Sequence, residues 1–340
     1  MGLNHPTDLH AWQRWQESRH RLRRLRHVRR TPKEELVVLT TYAAEPRVLV
    51  VLDSCSPTSH ASLVEPLRHL DLPFAVLSPW PLPQLVERPV LTTDAVGEPV
   101  PSALLGVRAV VSLGHYLPRG AVAHRWARSV GAATFVVQHG ALTPYAPPLP
   151  PGSRLLAWNE ADADYWKGRR PDIESEVVGS QLLWRAGTSP SSGAAPPASS
   201  LVYLGQGHGA ELPRTRLVHA ALTFCREHDA SYRPHPSERD RLSLLTLSAY
   251  ERAGITVDRA SVPLSELTAP VVSVFSTGVL EAAARGREAW VDFPRPPAWL
   301  GEFWERCGMH RLGTSPTPAP ALPAWEPAAR IAAIVSAAAS

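Results

Sequence analysis

Val271-Val272-Ser273-Val274-Phe275-Ser276-Thr277-Gly278-Val279-Leu280-Glu281 reads as an apolar strand, a small-residue turn and the opening of a helix. A strand without polar alternation is one buried on both faces, as in a parallel sheet covered by helices. The turn brings hydroxyls and backbone N–H groups to a helix N-terminus, where the dipole favours an anion. Ser276 also suits an N-cap, and capping and anion binding share one geometry.

The same alternation extends in both directions. Upstream, strands are expected over 47–52, 74–77, 109–113, 134–138, 155–158 and 176–178, with helical patterns at 60–70 and 119–130. Residues 188–200 are rich in Ser, Pro, Gly and Ala without periodicity, which marks a linker. The alternation then restarts, with strands over 201–204, 231–233, 255–257, 271–275 and 289–292 and helices over 212–228, 239–252 and 279–285. A final helical segment spans 327–339. The expected organisation is a basic helix over 1–33, an α/β domain over 34–187, the linker, a second α/β domain over 201–325 and a C-terminal helix over 326–340. Two such domains suggest a ligand cleft between them, at the carboxyl ends of the strands.

A length of 340 residues with 44% hydrophobic content suffices for two cores. No apolar run is long enough to cross a bilayer, and the polar, basic start does not resemble a signal peptide. A cytoplasmic location is therefore expected. Three scattered cysteines, Cys55, Cys225 and Cys307, fit neither a disulfide framework nor a zinc site. Residues 1–33 hold nine Lys/Arg against two acids, while the rest of the chain is slightly acidic. Trp12, Trp15, Leu22, Leu25 and Val28 recur there at helical spacing among arginines. This pattern fits a peripheral anchor on an anionic membrane at the inner face of the plasma membrane, or a helix packed on the first domain with a solvated basic back. A nucleic-acid partner is not expected, because the basic character does not extend to the folded domains. An RNA-binding role for this segment stands as an alternative from a different class.

Four further motifs end strands. In Tyr232-Arg233-Pro234-His235-Pro236-Ser237-Glu238, two prolines hold His235, which can donate to a phosphate and protonate a leaving phosphate oxygen. Arg233 could add charge to the same site, or point to the opposite face. Gly205-Gln206-Gly207-His208-Gly209 follows a strand and lets backbone N–H groups approach a phosphate, though its spacing is not that of the dinucleotide fingerprint. Phe135-Val136-Val137-Gln138-His139-Gly140 ends the matching strand of the first domain. There His139 could deprotonate an acceptor hydroxyl, with Gln138 beside it on the acceptor side. Asp53, ending Val-Leu-Asp, is a second candidate base. With Ser276, Thr277 and Gly278 on the phosphates and Glu281 on ribose hydroxyls, the set suits a nucleotide-activated donor. No metal site stands out, and no Walker loop is present.

These motifs resemble those of GT-B glycosyltransferases with a His-Pro motif and a later Ser motif. That group includes bacterial polysialyltransferases and sialyltransferases, Kdo transferases of capsule assembly and CDP-glycerol glycerophosphotransferases. The resemblance rests on Gln138-His139-Gly140, Val178-Gly179-Ser180, Arg233-Pro234-His235-Pro236 and Phe275-Ser276-Thr277-Gly278 with Glu281, in family order. The chain is also similar to actinobacterial proteins that carry the Gln-His-Gly and Val-Gly-Ser-Gln-Leu-Leu-Trp segments. The family's paired serines are replaced here by Ser276-Thr277. The resemblance implies two Rossmann-like domains with parallel sheets facing a central cleft. It implies that His235, Ser276 and Thr277 bind the donor phosphate and that an N-domain residue is the base. The expected activity is inverting, metal-independent and free of cofactors. It transfers a sugar or polyol phosphate from a CMP-, CDP- or UDP-linked donor to a glycan or lipid-linked acceptor. A sugar-nucleotide epimerase of the same fold is the nearer alternative.

Overall fold

The computed structural model describes residues 2–19, 38–54, 56–80, 89–97, 99–189, 201–207, 209–259 and 263–340. Most of the expected linker, His208 and the basic helix beyond Arg19 lie outside them. The chain divides into two compact units. One is Gly2–Leu182 with Pro323–Ser340; the other is Leu183–Leu322.

In the first unit, α1 (Leu9–Arg19) precedes β1 (Val38–Thr41), β2 (Val48–Val51), β3 (Phe74–Ser78) and β4 (Thr92–Ala95). β5 (Ala109–Ser112), α2 (Pro118–Val130), β6 (Ala133–Val137), β7 (Arg154–Ala157), α3 (Glu160–Lys167) and β8 (Glu174–Val177) follow, and α4 (Gln181–Thr188) begins in this unit and continues into the other from Leu183. The eight strands lie in the order β4-β1-β3-β2-β5-β6-β7-β8. Continuous Val/Leu runs work here because both faces are covered. In β2, Val48 and Val50 enter a core shared with the C-terminal helix Pro327–Ala339, whereas Leu49 and Val51 enter a second core with Trp126 of α2. Between β2 and β3 the chain runs through one α-turn (Pro57–Ser59), a π-turn (His60–Val64) and a 3-10 turn (Glu65–His69) rather than a regular helix. The C-terminal helix is fastened by Gln181, whose amide donates to Glu65 (2.8 Å) and Glu326 (2.9 Å) and accepts the N–H of Ala328 (2.9 Å).

The second unit contains β9 (Val202–Leu204), α5 (Arg214–Glu227), β10 (Ser231–Arg233), α6 (Arg241–Arg252), β11 (Val271–Ser273), α7 (Thr277–Ala284), β12 (Ala289–Val291) and α8 (Ala298–Arg306). Its four strands are all parallel, in the order β10-β9-β11-β12.

Both units are thus Rossmann-like α/β layers, with two departures from the expected all-parallel sheets. β1 and β4 were not foreseen, and β1 runs antiparallel to both of its neighbours. Both are short; β4 is the edge strand, the polar run Thr-Thr-Asp-Ala, and β1 lies between it and β3. The strand expected over 255–257 is reduced to a single bridge between Tyr232 and Val257. The tryptophans of α1 are engaged by the first unit itself. Trp12 is buried and donates Nε1–H to the Tyr145 carbonyl (2.7 Å), and Trp15 stacks on the Tyr145 ring. The described part of α1 is therefore a packed helix rather than one with its Trp side open to lipid. Among the described residues, no helix is long and apolar enough to cross a membrane.

Candidate functional site

In an open α/β sheet, ligands bind outside the carboxyl ends of the strands, where the strand order reverses. In the second unit the chain goes from β9 to β10 on one side and then to β11 on the other, so the reversal lies between β9 and β11. Three loops meet at this edge: the loop after β9 with Gly205 to Gly207, the loop after β10 with His235, and the turn after β11 with Ser276.

Glu238 binds the first two loops together. Its Oε1 accepts the N–H of Gly207 (3.0 Å) and of His235 (3.3 Å), and its Oε2 accepts the Tyr232 hydroxyl (2.9 Å). Burial raises its carboxyl above the ordinary range, against the pull of those three donors and of Arg214. Gly205 is dictated by this packing: a Cβ there would lie 2.3 Å from the Tyr232 hydroxyl. Gln206 plays the same part toward the third loop. It is buried, and its Oε1 accepts the Phe275 N–H (2.7 Å) and the Ser273 hydroxyl (3.3 Å). Its side-chain carbonyl thus faces the protein, not a donor.

His235 is half-buried, and burial lowers its pKa to about 4, so it is neutral at physiological pH. Its Nδ1 accepts the Ser237 N–H (3.1 Å). A neutral imidazole that accepts at Nδ1 carries its proton on Nε2, so the ring presents an N–H donor. Ser276 caps α7: its hydroxyl oxygen accepts the Gly278 N–H at 3.1 Å, which leaves the O–H proton to donate elsewhere. An N–H donor, a hydroxyl and a helix N-terminus on one sheet edge suit an anion.

Two of the expected donor contacts sit otherwise. Arg233 pairs with Asp258 at 3.3 Å, on the partly buried side of its strand. Glu281 lies in the second turn of α7, outside the first-turn region where the dipole acts most strongly; it is 8% exposed. Burial raises its carboxyl, opposed by Arg185, Arg285 and Arg233. Those arginines, rather than open solvent, surround it.

In the first unit the reversal lies between β2 and β5, and β6 is the next strand. Asp53 follows β2, His115 follows β5 and His139 follows β6, so all three emerge on one carboxyl edge. Asp53 is committed to Arg119, 3.5 Å away, with both side chains nearly inaccessible. As a base it would have to leave a buried ion pair, which disfavours that role. His139 is neutral, with burial lowering its pKa to about 4, and its buried Nδ1 has no hydrogen-bond partner among the described residues. Gln138 is a structural hub. Its Nε2 donates to Asp162 (2.7 Å) and to the Gly140 carbonyl (3.1 Å), and its Oε1 accepts the Trp158 N–H (2.9 Å). It holds the His139 loop through these bonds.

His115, His124 and Arg119 were not singled out in the sequence. The signal for His115 was the one used for Asp53 and His139, a polar residue just after an apolar strand, here Ser112-Leu113-Gly114-His115; Arg119 and His124 lie within α2 and carried no such signal. Burial and then the nearby Arg170 lower His115 to about 4; burial and then His115 do the same to His124, whose Nε2 meets the Ser112 hydroxyl at 3.1 Å. Gly120 is required where α2 passes this loop, since a Cβ would fall 2.1 Å from the Gly114 carbonyl oxygen.

No family model matches the chain, and no curated protein matches it. Among solved structures it is similar to a glycosyltransferase from Rickettsia africae ESF-5. The two are 10% identical, with a TM-score of 0.42, over 87% of this chain and 94% of that one.

Proposed function

We propose that this chain is an inverting, metal-independent glycosyltransferase of GT-B type, or a polyol-phosphate transferase, using a CMP- or CDP-activated donor to extend a cell-surface glycan. The observation that carries the reading is the tautomer of His235. With Nδ1 accepting the Ser237 N–H, the neutral ring carries its proton on Nε2, and its loop leaves the same carboxyl edge of the sheet as the turn in which Ser276 caps α7.

In this reading the second unit holds the donor. The Ser276 hydroxyl and the N-terminal turn of α7, with Thr277 and Gly278, receive phosphate oxygens, and Gly205 and Gly207 shape the neighbouring loop. The acceptor hydroxyl oxygen attacks the anomeric carbon, or the phosphorus of a polyol-phosphate donor. The bond to the leaving phosphate breaks, and its electron pair departs with the nucleotide. His235 Nε2–H donates to that oxygen as negative charge develops there. A base takes the proton of the acceptor hydroxyl, and His139, at the carboxyl edge of the first unit, is the candidate for it. Glu281 is given the role of holding Arg185, Arg233 and Arg285, in place of a ribose contact. A donor handled by an imidazole, a hydroxyl and a helix dipole does not require a divalent ion.

The test is nucleotide release from CMP-, CDP- and UDP-linked donors in the presence of glycan acceptors. Release with transfer by the natural chain, lost in His235→Ala, is expected. Undiminished transfer by that variant would remove the assignment.

A further inference from the structure

Leu242, Leu244 and Leu245 of α6 are 45%, 48% and 64% exposed, although the opposite face of the same helix, Ser243, Leu247 and Tyr250, is buried. At about 100° per residue, Leu245 and Arg241 occupy the centre of the outer face, with Leu242 and Leu244 on its flanks. Arg239 and Arg241 are exposed. The acid between them, Asp240, is engaged: it caps α6 through the N–H groups of Leu242 and Ser243 and lies 3.5 Å from Arg214. The first turns of α6 therefore combine bare leucines with two arginines that form no ion pair among the described residues, the one acid between them being engaged by the helix cap and Arg214.

We propose that this end of α6 is a docking surface for an anionic lipid bilayer. Leucines at the headgroup boundary remove apolar area from water, and arginines beside them meet lipid phosphates. A second copy of the chain fits this face less well. An isologous contact would bring the two sets of arginines together, with Asp240, the acid at this end of the helix, already engaged by the cap and Arg214. The surface follows the His235 loop directly in the chain, so docking would hold that loop near the membrane. It is distinct from the basic N-terminal segment, and the proposal does not depend on the transferase reading.

The experiment is flotation of the full-length chain with phosphatidylcholine vesicles, alone and with about a third phosphatidylglycerol. Binding is expected to the anionic vesicles and to be weaker to the neutral ones. Combined Leu242→Ser, Leu244→Ser and Leu245→Ser substitution should weaken it about tenfold or more. Arg239→Ser with Arg241→Ser should do so to a similar degree, about tenfold. Neither variant should change the melting temperature, because the substituted side chains are exposed. Failure of the natural chain to bind anionic vesicles would overturn the proposal. So would equal binding by the triple-serine variant, which would assign the affinity to another surface. A dimer in solution that dissociates in that variant would instead make the face a contact between copies.

Discussion

Glu238 accepts the backbone N–H of Gly207 at 3.0 Å across 31 residues of chain, fastening the loop after β9 to the loop that carries His235. The orientation of the imidazole is thus maintained by a buried carboxylate that also receives the Tyr232 hydroxyl and the His235 N–H.

Removal of that carboxylate strands three donors, the buried Tyr232 hydroxyl and the part-buried N–H groups of Gly207 and His235. Glu238→Ala is expected to cost about 3 kcal/mol, and Glu238→Gln about 1 kcal/mol because an acceptor oxygen remains. Urea denaturation of the two variants measures this. Equal costs would mean that the loops are held mainly by packing.

His235 should act as a neutral donor throughout the physiological range, since its pKa lies near 4. The ring is therefore expected to add no step of its own to the pH profile of nucleotide affinity: between about pH 5.5 and 8 the natural chain and His235→Gln should share one profile, set by the nucleotide's terminal phosphate, which titrates at about 6. His235→Gln, which keeps an N–H donor at a similar reach, should retain more affinity than His235→Ala. A titration of affinity near pH 6.5 that vanishes in His235→Gln would show that the charged ring binds the anion.

The apolar strands were legible because burial on both faces demands continuous Val and Leu, as in Val48–Val51 and Val271–Ser273. So was the polar residue that ends each strand, since chain direction alone sends it to the ligand edge. β4 was not: an edge strand is defined by its neighbour, and Thr-Thr-Asp-Ala carries little apolar pattern of its own; nor was β1, four residues long between β3 and β4. Most obscure was what each polar side chain does at that edge. Gln138, Gln206 and Asp53 sit at the expected strand ends, yet their partners are Asp162, Phe275 and Arg119, and no local pattern encodes those pairings. The role of Glu238 was hidden for the same reason, although it stood inside the quoted motif.

Burial keeps His124 neutral, with a pKa of about 4 folded against about 6.5 unfolded. Below pH 6.5 the unfolded chain binds the proton that the folded chain refuses. Stability is therefore complete above about 6.5 and falls as the pH drops toward 4. His115 and His139 act in the same direction. His124→Gln should flatten this acid limb by on the order of 2 kcal/mol, read from denaturation midpoints across that range. An unchanged slope would mean that His124 is protonated in the folded chain.

Gly120→Ala would push a methyl group against the Gly114 carbonyl oxygen, which belongs to backbone and cannot swing aside. A loss of about 2 kcal/mol or more in stability is expected. Hydrogen exchange should show the damage at residues 113–117, and an unperturbed loop would indicate that α2 shifts freely.

The most direct test of the account is a thermal-shift titration of the natural chain and of His235→Ala with CMP, CDP, UDP and GDP. A ligand that binds only the folded state raises its melting temperature, by an amount equivalent to about 2.7 kcal/mol at a hundredfold excess over Kd. A rise with a cytidine nucleotide that disappears in His235→Ala is the predicted result. No shift with any nucleotide, or a shift that survives the loss of His235, would contradict the assignment of this edge as the donor site.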